Sequence, residues 1–238
     1  MIDGNMKVIK QKVELLNNLF YEQMVQNVVS ASNQCWKTGC LFSGTLAEGE
    51  KIIRARIKVG HESLIEHASL TMKFTTNRAI THEIVRHRIA SFTQASTRYQ
   101  NYTKDEWGGL TMIQPHWIKE NICGEWAYPK YDRVVEYEGT TPTNVWILGR
   151  LNDEQEYKMQ SENGLIPDDT RGLLPNDLAT TLVMTANMRQ WRHFFKLRAL
   201  STTGRAHPQI VELATMAMNM AHDYAPCFFE DLKDNWDE

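Results

Sequence analysis

Hydrophobic and polar residues alternate most regularly between positions 69 and 76. The apolar residues on one side of this stretch are Leu70, Met72 and Phe74. Side chains point in turn to opposite faces of a β-strand, so the alternation predicts a strand with one buried face. Asn77 follows directly, and its short amide side chain predicts the N-cap of a helix running from position 78 to about 89.

Apolar residues recur at helical spacing in five further segments. They span residues 48–59, 152–162, a short stretch from 167, 178–200 and 211–222. The segment 178–200 is the longest and is predicted to be a single helix, while Gly60 predicts the end of the first. Residues 8–30 fit either a strand or a short helix, and residues 100–150 give no clear pattern. Without internal repeats or linkers, residues 1–238 are predicted to form one mixed α+β domain.

Composition and charge exclude several classes of protein. The chain is 42% hydrophobic and 23% charged, as in ordinary globular proteins, and no apolar run approaches a membrane span. Its net charge of −3 argues against general affinity for nucleic acid. The N-terminal residues lack an apolar signal segment, and the four cysteines lack paired spacing. We therefore expect a cytoplasmic protein without disulfides, structural zinc or contact with a membrane.

Positive charge is instead concentrated in the segment 86–99. Its cationic and titratable basic residues are Arg86, His87, Arg88 and Arg98. Five hydroxyl side chains lie among them, and no acidic residue falls between Glu83 and Asp105. Arginine and hydroxyl groups together suit an anionic ligand rich in oxygen atoms. A phosphorylated nucleotide fits that description, although no Rossmann, P-loop or nucleophile-elbow motif occurs.

A second polar group lies between Gly60 and His67. It contains two histidines and two glutamates, which raises the possibility of a metal site. His61 and His67 are six residues apart, however, so they do not share a helical face as two metal ligands of this kind require. We therefore predict no metal here, but a turn in which Ser63 supplies a hydroxyl group.

The segment 178–200 combines an apolar stripe with basic residues. The stripe consists of Met184, Met188, Trp191 and Phe195 and is predicted to face the core. Arg189 and His193 are four residues apart and share the opposite face, whereas Asn187 and Arg198 project near the edge of the stripe. These basic residues form either a ligand site or a solvated face that also includes Arg192 and Lys196.

Arg171 leaves a similar choice open. It follows Asp168 and Asp169 in the sequence, so it either pairs locally with these acids or reaches a ligand.

Four motifs in a fixed order resemble those of the flavin-dependent thymidylate synthases. The motifs are Arg86-His87-Arg88 with Ser96 after seven residues, Gly60-His61-Glu62-Ser63 with Glu66-His67, Arg171 to Pro175, and Asn187-x-Arg189-x3-His193-x4-Arg198. The resemblance covers the chain from about Cys35 to Gln209, with weak support between positions 102 and 165. It implies a mixed α/β domain with a twisted, largely antiparallel sheet flanked by helices.

The resemblance also implies a function. In this family FAD is reduced by NADPH, and the methylene group of methylenetetrahydrofolate passes through the flavin to C5 of dUMP, giving dTMP. The family forms homotetramers with each site at a subunit junction. An assembly of this kind would also accommodate basic pairs that point in different directions from one helix.

Site residues are carried over by position in the motifs. The residues implied to bind FAD are Ser63, Arg86, His87, Arg88, Gln94, Asn187, Arg189 and His193. Those implied to bind dUMP are Glu83, Arg86, Gln94, Ser96, Thr97, Arg98, Arg171 and Arg198. Arg198 matches the catalytic arginine of the family, a role that suits a permanently charged guanidinium beside a developing anion.

The sequence departs from the family at three positions. Glu83, Gln94 and Thr97 stand where many members have Gln, Glu and Gly, respectively. These departures leave open a catalytically impaired relative that still binds nucleotide or flavin. A basic RNA-binding module is a further alternative, against which the acidic net charge argues. Ser96 has no nearby base in the sequence and is interpreted as a ligand contact, not as a nucleophile. Cys227, between Pro226 and Phe228, lacks the histidine found after the catalytic cysteine of folate-only thymidylate synthases.

Overall fold

The structure is a computed structural model that describes residues 5–16, 20–36, 41–104, 108–127 and 141–233. The strands are β1 Asn5–Ile9, β2 Lys12–Leu15, β3 Ser69–Asn77, β4 Ala90–Gln94, β5 Thr111–Ile113, β6 Gly124–Ala127 and β7 Ala179–Asn187. The helices are α1 Tyr21–Trp36, α2 Leu46–Lys58, α3 Arg78–Ile84, α4 Pro142–Glu162, α5 Pro167–Thr170, α6 Met188–Arg198, α7 Pro208–Tyr224 and α8 Glu230–Lys233. Three 3₁₀ helices span Glu62–His67, Arg171–Leu173 and Pro226–Phe228. None of the helices in the described part of the chain is both long enough and apolar enough to cross a membrane.

The chain divides into two compact units. The first unit comprises residues 1–11, 75–83 and 94–181. It contains a three-stranded sheet of order β5-β1-β6, in which β1 pairs parallel to β5 and antiparallel to β6. Helix α4 packs against β1. Buried side chains of these two elements and of the β5 region form the core of this unit, among them Met6, Val8, Leu110, Met112, Leu151 and Tyr157.

The second unit comprises residues 12–74, 84–93 and 182–238. The four-stranded sheet has the order β2-β3-β7-β4, and β3, β4 and β7 contribute residues to both units. The aromatic residues of α6 form the centre of the second core. Trp191 stacks on Phe195 at 5.5 Å between ring centroids and meets Phe194 edge-on at 5.7 Å. The indole nitrogen of Trp191 donates a hydrogen bond to the carbonyl of Leu70 on β3, which fixes the helix against the strand.

Several elements confirm the predictions from the pattern. Strand β3 buries Leu70, Met72 and Phe74 completely, as their alternation predicts. The Oδ1 atom of Asn77 accepts the backbone N–H of Ile80, so the predicted cap is present. Helices α2, α5 and α7 match their predicted segments to within a few residues. The mixed α/β class with sheets and flanking helices is confirmed, whereas the single domain over residues 1–238 stays a prediction.

Two predicted helices are shorter than predicted. The segment 178–200 is strand β7 followed by helix α6, and β7 alternates buried and partly exposed residues with a period of two. The Met184 of the predicted stripe therefore lies on a strand, and the helical part of the stripe starts at Met188. Helix α3 ends at Ile84, not near position 89. Apolar spacing over a few residues does not distinguish a buried strand from a helix, because both place apolar residues in the core.

The segment without a clear pattern contains strands β5 and β6 and the beginning of α4. Helix α4 starts ten residues before the predicted helix at position 152, with Pro142 in its first turn. The side chain of Thr141 accepts the N–H of Asn144 and caps this helix. Residues 128–140 lie outside the described residues. The ambiguous segment 8–30 contains the end of β1, then β2 and the first part of α1.

Candidate functional site

A cavity of about 270 Å³ opens in the second unit. The 3₁₀ helix Glu62–His67 contributes Glu62 and Glu66 to its wall, and Ile89 also lines it. The remaining lining residues are Asn187 at the end of β7 and Arg189, Gln190, His193 and Lys196 of α6. The carboxylate of Glu66 accepts a 2.7 Å hydrogen bond from the guanidinium of Arg189. Because acidic side chains of the 3₁₀ helix and basic side chains of α6 both line the cavity, it suits a ligand with a polar edge rather than a simple anion.

Helix α6 presents its functional residues because of how it begins. The Oδ1 atom of Asn187 accepts the N–H of Gln190 at 2.8 Å, which caps the helix at the end of β7. Arg189 and His193 follow on the exposed face, and both line the cavity. Their predicted shared face is therefore confirmed. The amide of Asn187 is partly committed to the cap, and the residue also lines the cavity.

Arg198 and His87 are brought together by the fold, although 110 residues separate them in the sequence. The Nε of Arg198 donates a 2.9 Å hydrogen bond to the Nε2 of His87. His87 is only 6% exposed and meets the ring of Phe194 edge-on at 5.0 Å. Burial, the charge of Arg198 and the neighbouring His193 lower the pKa of His87 to about 4. At neutral pH the imidazole is therefore uncharged, and its Nε2 accepts the hydrogen bond from the guanidinium.

The neutral state of His87 predicts an acid-sensitive fold. Its ordinary pKa of 6.5 falls to about 4 on folding, so between these values the unfolded chain holds a proton that the folded chain lacks. The contribution of the neutral imidazole to the free energy of unfolding is complete above pH 6.5. It is lost as the pH falls through this window, by about 3 kcal/mol in total. Denaturant titrations at pH 7 and pH 4.5 measure the loss. We expect His87→Phe to lose about 2–3 kcal/mol less than the wild type over this interval.

The matched control for this prediction is the exposed His82 on α3. His82→Phe removes a histidine without changing the buried imidazole, so its loss between the two pH values should equal that of the wild type. Equal losses in His87→Phe and the wild type would contradict a buried neutral imidazole.

The arginines on either side of His87 are exposed. Arg86 and Arg88 lie in the turn between α3 and β4, beyond the end of the helix. The helix predicted to run to about position 89 would have placed these residues in its last turn, and this is corrected: α3 ends at Ile84, and a short connection presents the basic residues. The backbone N–H of His87 bonds to the carbonyl of Ile84, and this bond turns the chain directly after the helix. The turn sends the imidazole inward and leaves both arginines in solvent.

A second cluster of predicted site residues lies in the first unit. The guanidinium of Arg98 makes two 2.9 Å hydrogen bonds to the carboxylate of Asp168. Arg171 approaches the same carboxylate at 3.3 Å, so local pairing, one of the two alternatives, is what the structure contains. Asp168 thereby holds two arginines together, and these pairs hold the pKa of its carboxyl below the usual range. Both arginines are about half exposed, so a ligand in solvent can reach them.

The segment between these arginines and the basic turn is tightly hydrogen-bonded. The Oγ of Ser96 accepts the N–H of Arg98, and Thr97 is buried. The Nε2 of Gln94 donates to the Oγ1 of Thr81 at 3.0 Å. Glu83 is half-buried at the end of α3, in the same unit.

The predicted residues therefore form two groups. The second unit contains Ser63, Arg86, His87, Arg88, Asn187, Arg189, His193 and Arg198. The first unit contains Glu83, Gln94, Ser96, Thr97, Arg98 and Arg171. This division follows the predicted ligands closely, because the flavin set falls in the second unit except for Gln94, and the nucleotide set falls in the first except for Arg86 and Arg198. Ser63 is exposed on the 3₁₀ helix.

Arg192 is a residue whose importance the sequence did not indicate. It was grouped with a solvated basic face, but it is 1% exposed, so that interpretation is wrong for this residue. Its guanidinium bonds to both carboxylate oxygens of Asp231 at 2.6 Å and to Glu62 at 3.1 Å. The carbonyl of Phe228 accepts a further hydrogen bond. Its place after the buried Trp191 does not indicate burial, since neighbouring residues on a helix point about 100° apart.

Metal ligands and reactive thiols have little support in the described part of the chain. No group of three or more His, Cys, Asp or Glu residues is arranged there to hold a metal ion. Cys35, Cys123 and Cys227 are free thiols, and Cys40 lies outside the described residues. Burial raises the pKa of Cys227 to about 12, which leaves it protonated and a poor nucleophile.

Comparison with known proteins identifies the family. The family model described as thymidylate synthase complementing protein matches residues 14–227. The chain belongs to this family. The match covers all four motifs, from the cavity-lining 3₁₀ helix to α6. The predicted resemblance to flavin-dependent thymidylate synthases is therefore confirmed.

Individual relatives carry the same name. A flavin-dependent thymidylate synthase of Corynebacterium efficiens is 30% identical over 210 residues, which are 85% of this chain and 77% of the relative. That of Geobacter sulfurreducens is 31% identical, covering 74% of this chain and 66% of the relative. That of Pyrococcus horikoshii is 33% identical, covering 66% of this chain and 56% of the relative. The chain thus spans between about half and three quarters of the length of these family members.

Solved structures confirm the fold of the family. The UMP/dUMP methylase PolB from Streptomyces cacaoi, bound with 5-Br dUMP, superposes with a TM-score of 0.70 at 21% identity. The superposition covers 96% of this chain and 97% of that one. The same methylase bound with 5-Br UMP gives a TM-score of 0.68 at 18% identity, over 94% of this chain and 95% of that one. Similarity at this level of identity supports the architecture alone.

Proposed function

We propose that this protein is a flavin-dependent thymidylate synthase that converts dUMP to dTMP. In this proposal methylenetetrahydrofolate donates the carbon, FAD carries it and NADPH supplies the reducing equivalents. Family membership and the shared name of the relatives support the reaction class and the flavin. Within the chain, the observation that carries the proposal is the hydrogen bond from Arg198 to a buried neutral His87, next to a cavity lined by the motif residues.

The cavity in the second unit fits part of FAD. Arg189 and His193 project into it from the exposed face of α6, and Asn187 and Glu66 add polar groups at its wall. A flavin ring has an apolar face and an edge of carbonyl and N–H groups, so it needs both hydrogen-bond donors and acceptors, and this cavity supplies both. We assign Arg86 and Arg88 to the pyrophosphate, because both are exposed and carry fixed charge. When bound, FAD supplies the electron and one-carbon chemistry that no side chain provides.

The cluster in the first unit suits the phosphate of dUMP. Arg98 and Arg171 are held at one carboxylate, so their guanidinium groups are already close together before a ligand arrives. Two adjacent arginines that share a partner bind a phosphate with less loss of side-chain freedom than two independent ones. Ser96 and Thr97 lie directly before Arg98 and would contribute hydroxyl groups. Asp168 is therefore the residue that organises the phosphate site.

Arg198 is the proposed catalytic residue. Its Nε is committed to His87, which fixes the orientation of the guanidinium plane relative to the core. A fixed guanidinium stabilises negative charge that develops on a uracil ring more effectively than a mobile one, because no reorganisation is needed during the reaction. His87 performs this positioning only as a neutral imidazole, since a protonated one would repel Arg198. This arrangement activates the substrate without an enzyme nucleophile.

The proposed function is tested with the purified protein. We expect it to be yellow, with flavin absorption bands that change when dUMP is added, and to form dTMP from dUMP with methylenetetrahydrofolate and NADPH. Absence of both bound FAD and dTMP under all conditions would exclude the function. Spectral changes with dUMP but no product would instead support the alternative, a catalytically impaired relative. The homotetramer and the cytoplasmic location also remain proposals, and size-exclusion chromatography with light scattering tests the former.

A further inference from the structure

Ile89 combines two unfavourable features. Its backbone has φ of 68°, in the left-handed region where a β-branched side chain is sterically disfavoured. Its side chain is also 78% exposed, so it gains little from burial in this conformation. Among the described residues other than glycine, Ser201 also has a positive φ. The small side chain of serine tolerates this backbone conformation better than isoleucine does. Strain of this kind persists where the surrounding structure uses it.

The position of Ile89 indicates that its strained conformation serves the cavity. It lies at the wall of the 270 Å³ cavity and follows the basic turn directly. The other described residues that line the cavity are polar or charged, so Ile89 is the one hydrophobic residue among them. The left-handed backbone ends the turn after Arg88 and starts β4 at Ala90. It therefore sets the direction in which the apolar side chain projects.

We propose that Ile89 is an apolar platform that contacts the face of the flavin ring and sets the affinity for FAD. This inference rests on the proposed function, since it takes the flavin as the ligand of the cavity. The volume of the cavity lies near the lower end of the range for ligand sites, so it accommodates one ring system rather than the whole dinucleotide. A planar ring with a polar edge bonds to the polar wall and covers the exposed isoleucine at the same time. Binding thus recovers the apolar burial that the free protein lacks.

The test compares two substitutions at this position in the full chain. Ile89→Asn replaces the side chain with a residue that tolerates left-handed backbone but offers no apolar surface. We expect the Tm of the FAD-free protein to rise by a few degrees and the Kd for FAD to increase by about 10-fold or more. Ile89→Leu retains the apolar surface without β-branching, so its Kd should stay within about 3-fold of the wild type. Flavin fluorescence titration and thermal unfolding provide the two readouts.

Ser201→Asn is the matched control, because it introduces the same residue at the other left-handed position, outside the cavity lining. It should leave the Kd for FAD unchanged. An unchanged Kd in Ile89→Asn, or an equal loss of affinity in Ile89→Leu, would overturn the inference. A higher Kd with unaltered flavin absorption bands would also overturn it, because the adenine and not the flavin would then lie on Ile89. If the wild type itself binds no FAD, the proposed function fails first.

Discussion

Replacing Arg198 with alanine is expected to lower the rate of dTMP formation by about 10²–10³-fold, while FAD remains bound. The physical reason is that the guanidinium is held by His87 before the reaction begins, so its charge is already directed when negative charge develops. Loss of one such preorganised donor costs about 3–4 kcal/mol of transition-state stabilisation. The measurement is the single-turnover rate of dTMP formation, with flavin absorbance recorded on the same samples to show that the cofactor is present.

A matched control for this prediction lies seven residues further along the chain. Arg205 is exposed and belongs to neither of the two site clusters, so Arg205→Ala should leave the rate unchanged. His87→Phe keeps the ring but removes the acceptor for Arg198, and we expect it to lower the rate with FAD still bound. Wild-type turnover in Arg198→Ala would remove this residue from the catalytic role.

Replacing Arg192 with methionine is expected to destabilise the fold by about 3–5 kcal/mol, the largest stability effect that we predict. Arg192 is 1% exposed and makes charged hydrogen bonds to Asp231 and Glu62. Methionine fills much of the volume but removes the hydrogen bonds to Asp231 and to the buried carbonyl of Phe228, and it leaves Glu62 with Lys196 alone at 3.6 Å. Burial raises the pKa of Asp231, but the hydrogen bond and the charge of Arg192 outweigh burial and leave this pKa below its usual value. The carboxylate of Asp231 therefore depends on Arg192. Denaturant unfolding of the FAD-free protein at neutral pH measures the loss.

The exposed pair of Arg189 and Glu66 is the control, since it has the same chemistry at 53% and 43% side-chain exposure. Arg189→Met should change the free energy of unfolding by less than about 1 kcal/mol, because water hydrates both groups when the pair is broken. A loss of the same small size in Arg192→Met would mean that the hydrogen bonds of the buried guanidinium contribute no more to stability than those of an exposed pair. We also expect the Arg192→Met loss to shrink at acid pH, where Asp231 becomes protonated and no longer needs a cation.

The fold was predictable where a local pattern and the core agreed. Strand β3 has a strict alternation, and its buried face contains the residues that the alternation selects. Asn77 caps α3 because a short amide reaches the N–H three residues ahead, which is a purely local property. Strand β7 was missed because apolar residues at positions 184 and 188 also fit a helix. Its partners in the sheet, β3 and β4, are about a hundred residues away in sequence, so no local pattern shows that it pairs with them.

The candidate site was predictable in its residue types and only partly in its geometry. The motifs selected Arg198 and His87 separately, and no spacing indicated that one bonds to the other. Likewise, Arg171 left pairing and ligand binding open, and the structure brings it together with Arg98 at Asp168. Ile89 had no signal at all, because a left-handed backbone at a β-branched residue contradicts local preference and arises only where the whole turn requires it.

By itself, the sequence determined the family, the mixed α/β class, and which side chains carry the charge and hydroxyl groups of the site. These properties depend on which residue types occur at short spacings, and the sequence itself contains both the types and the spacings. Only the tertiary structure decided which of these side chains is charged, buried or strained. Arg192 is a buried cation, His87 is neutral, and Ile89 is exposed at the wall of the cavity. Burial and long-range contacts set these states, because the free energy of a charge depends on its surroundings and not on its neighbours in sequence.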